Sequence, residues 1–260
     1  MSGFSLQRGS VPLLVSLPHD GTELPAALAA RMTPAARALP DTDWFVSRLY
    51  AMARELGASV LKPSWSRYVV DLNRPPDGAA LYPGRFETGI CPLRTFAGEP
   101  IYGAGNDPDT AEIAARVAQY WQPYHAALAA ELERLQAAHG RVLLWDGHSI
   151  RGELPQLFPG ALPDLNLGTA DGASCGSGLA LALAHTLAAQ SAYTFVINGR
   201  FKGGYITRHY GRPDQGIHAV QLELAQRTYL DEATAHWDAA RATALQGLLR
   251  RLLETGLAAL

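Results

Sequence analysis

Two histidines stand where short apolar segments give way to polar residues. His19 follows the run VPLLVSLP at 11–18, and His148 closes the run RVLLWDGH at 141–148. A single histidine in such a position is usually an ordinary loop residue. Ligand sites of α/β sheets, however, form at the carboxyl ends of the strands, where two imidazoles can converge on one ion. The pattern predicts a zinc site with His19 and His148 as ligands, and with Asp20 and Asp146 as acceptors for their second ring nitrogens.

The third ligand of that zinc is sought among carboxylates, because a catalytic zinc usually has three protein ligands and an open position. The candidates are Asp41 and Asp43, which lie in the segment PDTDW at the start of a predicted helix. Aspartate is also favoured as a helix N-cap. We therefore expect one of the two to cap the helix and the other to bind the metal, and the spacing leaves the choice open.

Basic and amide side chains follow two other apolar runs. Asn73 and Arg74 come directly after RYVVDL at 67–72, where they could bind a substrate carboxylate or polarise an acyl oxygen. The alternative is that Arg74 pairs with Asp71 as part of the scaffold. A glycine-rich segment further on carries a group of basic residues that favours an anionic small molecule: Arg200, Lys202, Arg208 and His209.

One glutamate interrupts the apolar run HAVQLEL near the carboxyl terminus. Glu223 is expected to be partly desolvated, and a carboxylate is rarely buried unless it is paired or functional. Beside a metal site such a glutamate is a candidate general base. The alternative is a salt bridge, for example to an arginine. His125 and His139 lie on or near a long helix and are expected to be packed or exposed.

Alternating strands and helices must position these residues. Strands are predicted at 11–18, 58–63, 67–73, 141–148, 193–199 and 218–224, because each is a short apolar run bounded by Gly or Pro. Helices are predicted at 43–56, at 109–138 with a kink at Pro123, at 178–190 and at 234–257. This order predicts an α/β layer sandwich around one mixed, mainly parallel sheet, with residues 1–260 as a single domain. The long irregular segments 74–108 and 149–177 are expected to be functional.

Composition restricts the class of protein. Of the 260 residues, 18% are charged and the net charge is −2. A nucleic-acid partner is not expected, because it would require a basic excess. No run of about 18 apolar residues occurs, so no membrane partner is expected either. The two cysteines lack ligand spacing, which favours a reduced cytoplasmic setting.

The motifs taken together resemble the N-formylglutamate amidohydrolase family. The resemblance extends over about residues 10–235 and depends on the following segments: PHDG, DTDW, DLNRP, LYPGR, TGICPLRTFAGEPIY, WDGHS, LPDLNLGT, NGRFKGGYITRHYG and QLELAQRTYLDE. It implies a phosphorylase/hydrolase-like fold that is similar to the zinc carboxypeptidases. It also implies metal-dependent hydrolysis of N-formyl-L-glutamate, the last step of a histidine degradation route. An oligomeric state is not predicted.

The resemblance also implies roles for particular residues. His19 and His148 would bind the metal, Asn73 and Arg74 the substrate, and Glu223 would be the base. The carboxypeptidase pattern has a glutamate three residues after the first histidine, where this sequence has Thr22. Asp43 is therefore the preferred third ligand, because it lies in a motif that the family shares. Two alternatives stay open: removal of another acyl group from an acidic amino acid, and a non-catalytic binding protein with the same pocket.

Overall fold

A seven-stranded mixed sheet forms the centre of the protein, as seen in a computed structural model that describes residues 3–81, 84 and 87–260. Its strands are β1 (Phe4–Gln7), β2 (Leu13–Ser16), β3 (Ser59–Pro63), β4 (Val142–Ile150), β5 (Leu165–Gly168), β6 (Phe195–Ile197) and β7 (Ile217–Ala225). Their order is β1-β3-β2-β4-β7-β5-β6. The four central strands β3, β2, β4 and β7 are mutually parallel, whereas β1 and the pair β5/β6 run the opposite way. The predicted mixed, mainly parallel sheet is confirmed. A separate hairpin joins β8 (Leu230–Asp231) and β9 (His236–Trp237).

Helices cover both faces of the sheet. They are α1 (Ala26–Ala29), α2 (Pro34–Arg37), α3 (Val46–Leu49), α4 (Met52–Glu55), α5 (Thr110–Arg116), α6 (Gln122–His139), α7 (Ser177–Ala188), α8 (Tyr205–Tyr210) and α9 (Ala239–Ala258). Leu143 and Trp145 of β4 join the core formed with α7 and α9, whereas Leu144 joins the core beneath α6. Alternate residues of a strand thus pack on opposite faces. No helix in the described part of the chain is long and apolar enough to cross a membrane.

The predicted strand at 67–73 is wrong. This segment is a buried loop whose backbone turns back on itself, with Val69 N–H donating to Ser66 O and Arg74 N–H donating to Asp71 O. Its apolar side chains are nevertheless buried, Tyr68 and Val69 in a small cluster that includes Leu28 and Ile101. The run is apolar because it is enclosed by neighbouring segments, and burial alone does not distinguish a strand from such a loop.

Two predicted helices are interrupted. The stretch 43–56 forms two short helices. α3 begins after Phe45, which adopts a left-handed backbone conformation (φ +60°), and the non-helical Tyr50 separates α3 from α4. The long helix contains a π-helical turn at Val117–Trp121, directly before α6. Proline lacks an N–H and clashes with the carbonyl four residues earlier, so a widened turn before Pro123 accommodates the ring. The predicted irregularity is present, but as a π turn. Tyr82, Pro83 and Arg85 of the LYPGR motif lie outside the described residues.

Candidate metal centre and substrate cleft

The parallel pairing of β4 with β7 brings two predicted site residues together. His148 is directly opposite Glu223 in the register, and Asp146 is opposite Gln221. On both strands these residues lie on the face that packs beneath α6, and the earlier residues of that face are apolar. The sequence placed Asp146 and His148 at the end of a strand, but β4 continues to Ile150. The polar side chains therefore belong to the sheet itself, which holds them more rigidly than a loop.

His19, Asp43 and His148 form a buried cluster on this face. One ligand atom from each lies within 4.8 Å of the others. The Nδ1 atoms of His19 and His148 lie 3.7 and 3.2 Å from Asp43 Oδ2. Asp43 Oδ1 is buried without a hydrogen-bond partner among the described residues. Two imidazole nitrogens and a carboxylate with an unused acceptor are a donor set suited to a divalent metal.

Carboxylates behind the cluster hold both imidazole rings. Asp71 Oδ1 lies 2.7 Å from His19 Nε2, and Asp146 Oδ2 lies 3.0 Å from His148 Nε2. These contacts leave the Nδ1 atoms directed at the centre of the cluster. The expectation that Asp20 supports His19 is wrong, because Asp20 accepts from Ser47 N–H and pairs with Lys62. The expected support of His148 by Asp146 is present.

Arg67 supplies positive charge to the same buried group. Its Nη2 donates to Asp71 Oδ2 at 2.7 Å, and its Nη1 lies 3.7 Å from Asp43 Oδ1. Burial alone would raise the pKa of Asp71, but the charges of Arg67 and His19 lower it well below its usual range. Burial likewise opposes ionisation of Asp43, yet its interactions with His148 and His19 lower its pKa. Both carboxylates are therefore ionised, as a cation site requires.

Asp41, the other candidate third ligand, does not belong to this cluster. Its Oδ2 accepts from Tyr68 O–H at 2.7 Å and from Phe96 N–H at 2.9 Å. Its carboxylate therefore ties two loops together. The expectation that one of the two aspartates caps the helix is also wrong, because the N-cap of α3 is Phe45 and no side chain caps it.

Glu223 is buried beside the cluster. Burial raises the pKa of Glu223 to about 8, against the opposing effect of the positive charge of His148. Gln221 Nε2 donates to Glu223 Oε2 at 3.4 Å. No lysine or arginine in the described part of the chain forms a salt bridge with Glu223. The salt-bridge alternative therefore has no support in this structure.

A cleft opens over these residues and includes two of the predicted basic side chains. Its walls consist of His19, Asp43, Arg67, Asn73, Arg74, Glu87, Thr88, Phe96, His148, Ser149, Ile150, Leu157, Arg200, Phe201, Gly204, Gln221 and Glu223. Arg74 Nε donates to Thr88 O at 2.8 Å, and Arg200 Nε donates to Leu157 O at 2.9 Å. These bonds orient both guanidinium groups along the walls of the cleft.

Lys202 and Arg208 lie outside the cleft lining. Lys202 pairs with Asp171 at 2.9 Å, and Arg208 is exposed with its Nε donating to Gly203 O. Of the basic residues on this loop, Arg200 belongs to the described lining of the cleft, together with the neighbouring Phe201 and Gly204, and α8 begins directly afterwards at Tyr205. Neither Lys202 nor Arg208 belongs to the described lining of the cleft, and their predicted role in substrate binding stays a prediction.

Asn73 lines the cleft but is engaged by the protein. Its Oδ1 accepts from Ile206 N–H at 2.8 Å, and its Nδ2 lies 3.2 Å from Asp146 Oδ2 and 2.9 Å from His148 Nε2. A Cβ atom at position 204 would lie 2.4 Å from Asn73 Nδ2, which explains the glycine there. Asn73 therefore orients Asp146, the carboxylate that holds His148, and anchors the segment that carries Arg74.

The buried histidine of α6 supports the same segment. His125 Nε2 lies 2.8 Å from Leu72 O, and Trp121 Nε1 donates to Arg74 O at 3.0 Å. The rings of His125 and Trp121 stack at 3.7 Å between centroids. His125 is packed, as expected from its position in the sequence.

Sequence reasoning missed Arg67 and Gln221 as site residues. Gln221 lies two positions before Glu223, and that spacing places both on one face of a strand, so a signal was present. Arg67 and Asp71 gave no local signal, because their contact with the cluster depends on how a buried loop folds.

The fold and the cluster define an α/β protein with a buried His–Asp–His group beside a desolvated glutamate. The N-formylglutamate amidohydrolase family model matches residues 11–230. The chain belongs to this family.

Similar proteins and structures agree with that assignment. A Pseudomonas aeruginosa protein named N-formylglutamate deformylase is 53% identical over 255 residues, which cover 98% of this chain and 96% of the relative. A Pseudomonas putida protein of the same name is 49% identical over 98% of this chain and 95% of its own length. The crystal structure of N-formylglutamate amidohydrolase from Ralstonia eutropha JMP134 superposes with a TM-score of 0.84, 27% identity and coverage of 100% and 98%. A gene product of Agrobacterium tumefaciens shares the fold, with a TM-score of 0.71, 20% identity and coverage of 98% and 96%.

Proposed function

We propose that this protein is a metal-dependent amidohydrolase that converts N-formyl-L-glutamate to formate and L-glutamate. The observation that carries the proposal is the buried His19–Asp43–His148 cluster with Glu223 on the neighbouring strand. The names of the Pseudomonas relatives support the substrate. In this proposal the reaction is the last step of a histidine degradation route in the cytoplasm, where thiols such as the free Cys91 and Cys175 stay reduced.

Zinc is the proposed metal, because two histidines and one carboxylate are a common ligand set of catalytic zinc. His19 Nδ1, His148 Nδ1 and Asp43 would hold it, and Asp71 and Asp146 would fix the two rings from behind. The ion supplies Lewis acidity, which polarises a carbonyl group and makes water more acidic. The proposed kinship with the zinc carboxypeptidases rests on this donor set and on the sequence resemblance.

Glu223 is the proposed general base. Water attacks the formyl carbon while Glu223 accepts one of its protons, and the same carboxyl group then returns the proton to the departing amine. The C–N bond breaks, and formate and the free amino acid leave. A carboxyl group whose pKa is raised to about 8 can accept and return a proton near neutral pH.

Arg74 and Arg200 are the proposed partners of the two substrate carboxylates. Both guanidinium groups line the cleft and are oriented by hydrogen bonds to main-chain oxygens. Arginine suits this task because its donors match the two oxygens of a carboxylate. Arg74 would also polarise the acyl oxygen, as the sequence suggests, whereas Asn73 would act mainly by orienting Asp146 behind His148 and by anchoring the Arg74 segment.

Formate release from N-formyl-L-glutamate by the zinc-loaded protein tests the proposal directly. We expect turnover that disappears after treatment with a chelator and returns when zinc is added. Absence of formate release from fully metal-loaded protein would overturn the proposed function. Turnover that is unaffected by complete metal removal would retain the substrate but reject the metal.

A further inference from the structure

Two bulky apolar side chains line the cleft at its metal end. Ile150 lies on β4 two residues after His148, on the same face of the strand and about 6.6 Å further along it. Phe96 comes from the loop beside it, and its ring lies 4.6 Å beneath the guanidinium carbon of Arg67. Phe96 is 7% exposed and Ile150 is 5% exposed. The space beside the cluster is therefore bounded by a continuous apolar surface, here called the apolar wall.

The apolar wall is supported from behind and cannot move cheaply. Phe96 and Ile150 belong to a separate hydrophobic cluster whose other buried members are Leu154, Phe158 and Leu162. The main-chain N–H of Phe96 is fixed by its hydrogen bond to Asp41 Oδ2 at 2.9 Å. Close-packed side chains of this kind resist displacement even by a single methyl group.

The charges of the cleft determine which end of the substrate approaches the wall. Three arginines line the described part of the cleft. Arg67 lies over Phe96 but is already paired with Asp71, whereas Arg74 is held at Thr88 and Arg200 at Leu157 and Phe201, which are not residues of the wall. In the proposed binding mode the substrate carboxylates pair with Arg74 and Arg200 and the acyl carbonyl lies at the cluster, so the acyl substituent would face Phe96 and Ile150. In N-formyl-L-glutamate that substituent is a hydrogen atom.

We propose that the apolar wall formed by Phe96 and Ile150 restricts this enzyme to the formyl group, by leaving no room for the methyl group of an N-acetyl amino acid. This inference rests on the proposed function and adds to it a determinant of acyl specificity. Discrimination by a packed wall against one additional carbon is typically about 10–200-fold. Wild-type kcat/KM for N-formyl-L-glutamate should exceed that for N-acetyl-L-glutamate by at least about tenfold.

The test is the ratio of kcat/KM for the formyl substrate to that for the acetyl substrate, measured in zinc-loaded Ile150→Val and Ile150→Ala proteins. The ratio does not depend on the fraction of active protein, so partial loss of stability does not affect it. Ile150→Ala should lower the ratio by at least about tenfold, and Ile150→Val, which removes one methyl group and folds more readily, by a smaller factor. Leu183→Ala is the matched control, because Leu183 is likewise buried but lies in a different hydrophobic cluster and outside the cleft lining.

Three outcomes would overturn the inference while leaving the proposed function intact. They are a wild-type enzyme that uses both substrates equally, a ratio unchanged in both Ile150 variants, and a Leu183→Ala ratio that falls as far as that of Ile150→Ala. A wild-type protein that releases no formate would instead reject the proposed function, and with it this inference.

Discussion

Replacing Glu223 by glutamine separates a role in proton transfer from a structural role. The amide keeps the shape of the carboxyl group, and its oxygen can still accept from Gln221 Nε2. It cannot take a proton from water, and general acid–base groups contribute about 10²–10⁴-fold to rates. We expect kcat for N-formyl-L-glutamate to fall by at least about 100-fold, while metal content and substrate Kd stay close to wild type.

The stability of the metal-free protein should change in the opposite sense to that of a broken salt bridge. Burial raises the pKa of Glu223 from 4.5 to about 8, so the folded protein keeps a proton that the unfolded chain releases above pH 4.5. The retained proton makes the metal-free protein most stable below pH 4.5. Between pH 4.5 and about 8 its free energy of unfolding falls by about 1.4 kcal/mol per pH unit. Glutamine does not ionise, so Glu223→Gln should be more stable than wild type by roughly 3 kcal/mol at pH 7.

Glu131 offers a matched control. It is fully buried in α6, but it accepts hydrogen bonds from Arg134 and Ser59, which lower its pKa against the effect of burial. Glu131→Gln should lose about 1–3 kcal/mol and keep normal turnover. Urea unfolding of metal-free proteins and steady-state assays of zinc-loaded proteins measure both properties. A Glu223→Gln protein that turns over normally and is less stable than wild type would show that Glu223 is structural.

Three further predictions concern metal, charge and acid. Asp43→Asn should lower zinc affinity by more than about 100-fold, whereas the Asp41→Asn protein should bind zinc normally. Elemental analysis after dialysis measures the zinc content of both variants, and equal occupancy would reject Asp43 as a ligand. Arg200→Met should raise KM for N-formyl-L-glutamate by at least about tenfold, whereas Lys202→Met should change KM by less than about twofold. A larger effect of Lys202→Met than of Arg200→Met would show that Lys202 binds the substrate carboxylate instead. Burial lowers the pKa of His125 to about 3, so below pH 6.5 the unfolded chain binds a proton that the folded protein does not. The free energy of unfolding should therefore fall as the pH drops below 6.5, and His125→Gln should remove the contribution of about one proton from that pH dependence. An unchanged slope in urea unfolding between pH 6.5 and 4.5 would contradict this assignment.

The sequence contains enough information to predict the sheet and several site residues one by one. The apolar runs around β2, β4 and β7 locate the central strands, and polar residues interrupt those runs at His148 and Glu223. Parallel strands place such interruptions at one edge of a sheet. The direct pairing of His148 with Glu223 required the register, which depends on strands that are far apart in the chain.

Contacts made by buried loops could not be predicted in the same way. The carboxylate that supports His19 is Asp71, 52 residues away, and not the adjacent Asp20. The choice between Asp41 and Asp43 likewise depends on Tyr68 and Phe96, which occupy the Asp41 carboxylate. Each of these contacts is made by a loop without regular backbone hydrogen bonding, so no periodic pattern in the sequence predicts where the loop lies.

The parallel register of β2, β4 and β7 also determines when the cluster can exist during synthesis. His19 follows β2, His148 lies on β4, and Glu223 beside the cluster lies on β7, the last of these strands in the chain. At a ribosomal rate of about 5–20 residues per second, roughly 10–40 s separate the appearance of His19 from that of Glu223. In the proposed site, zinc binding by His19 and His148 requires the pairing of β2 with β4, whereas turnover also requires the pairing of β4 with β7, and both are slow non-local events. Zinc uptake during refolding should thus report the pairing of β2 with β4, and the onset of turnover should report the pairing of β7.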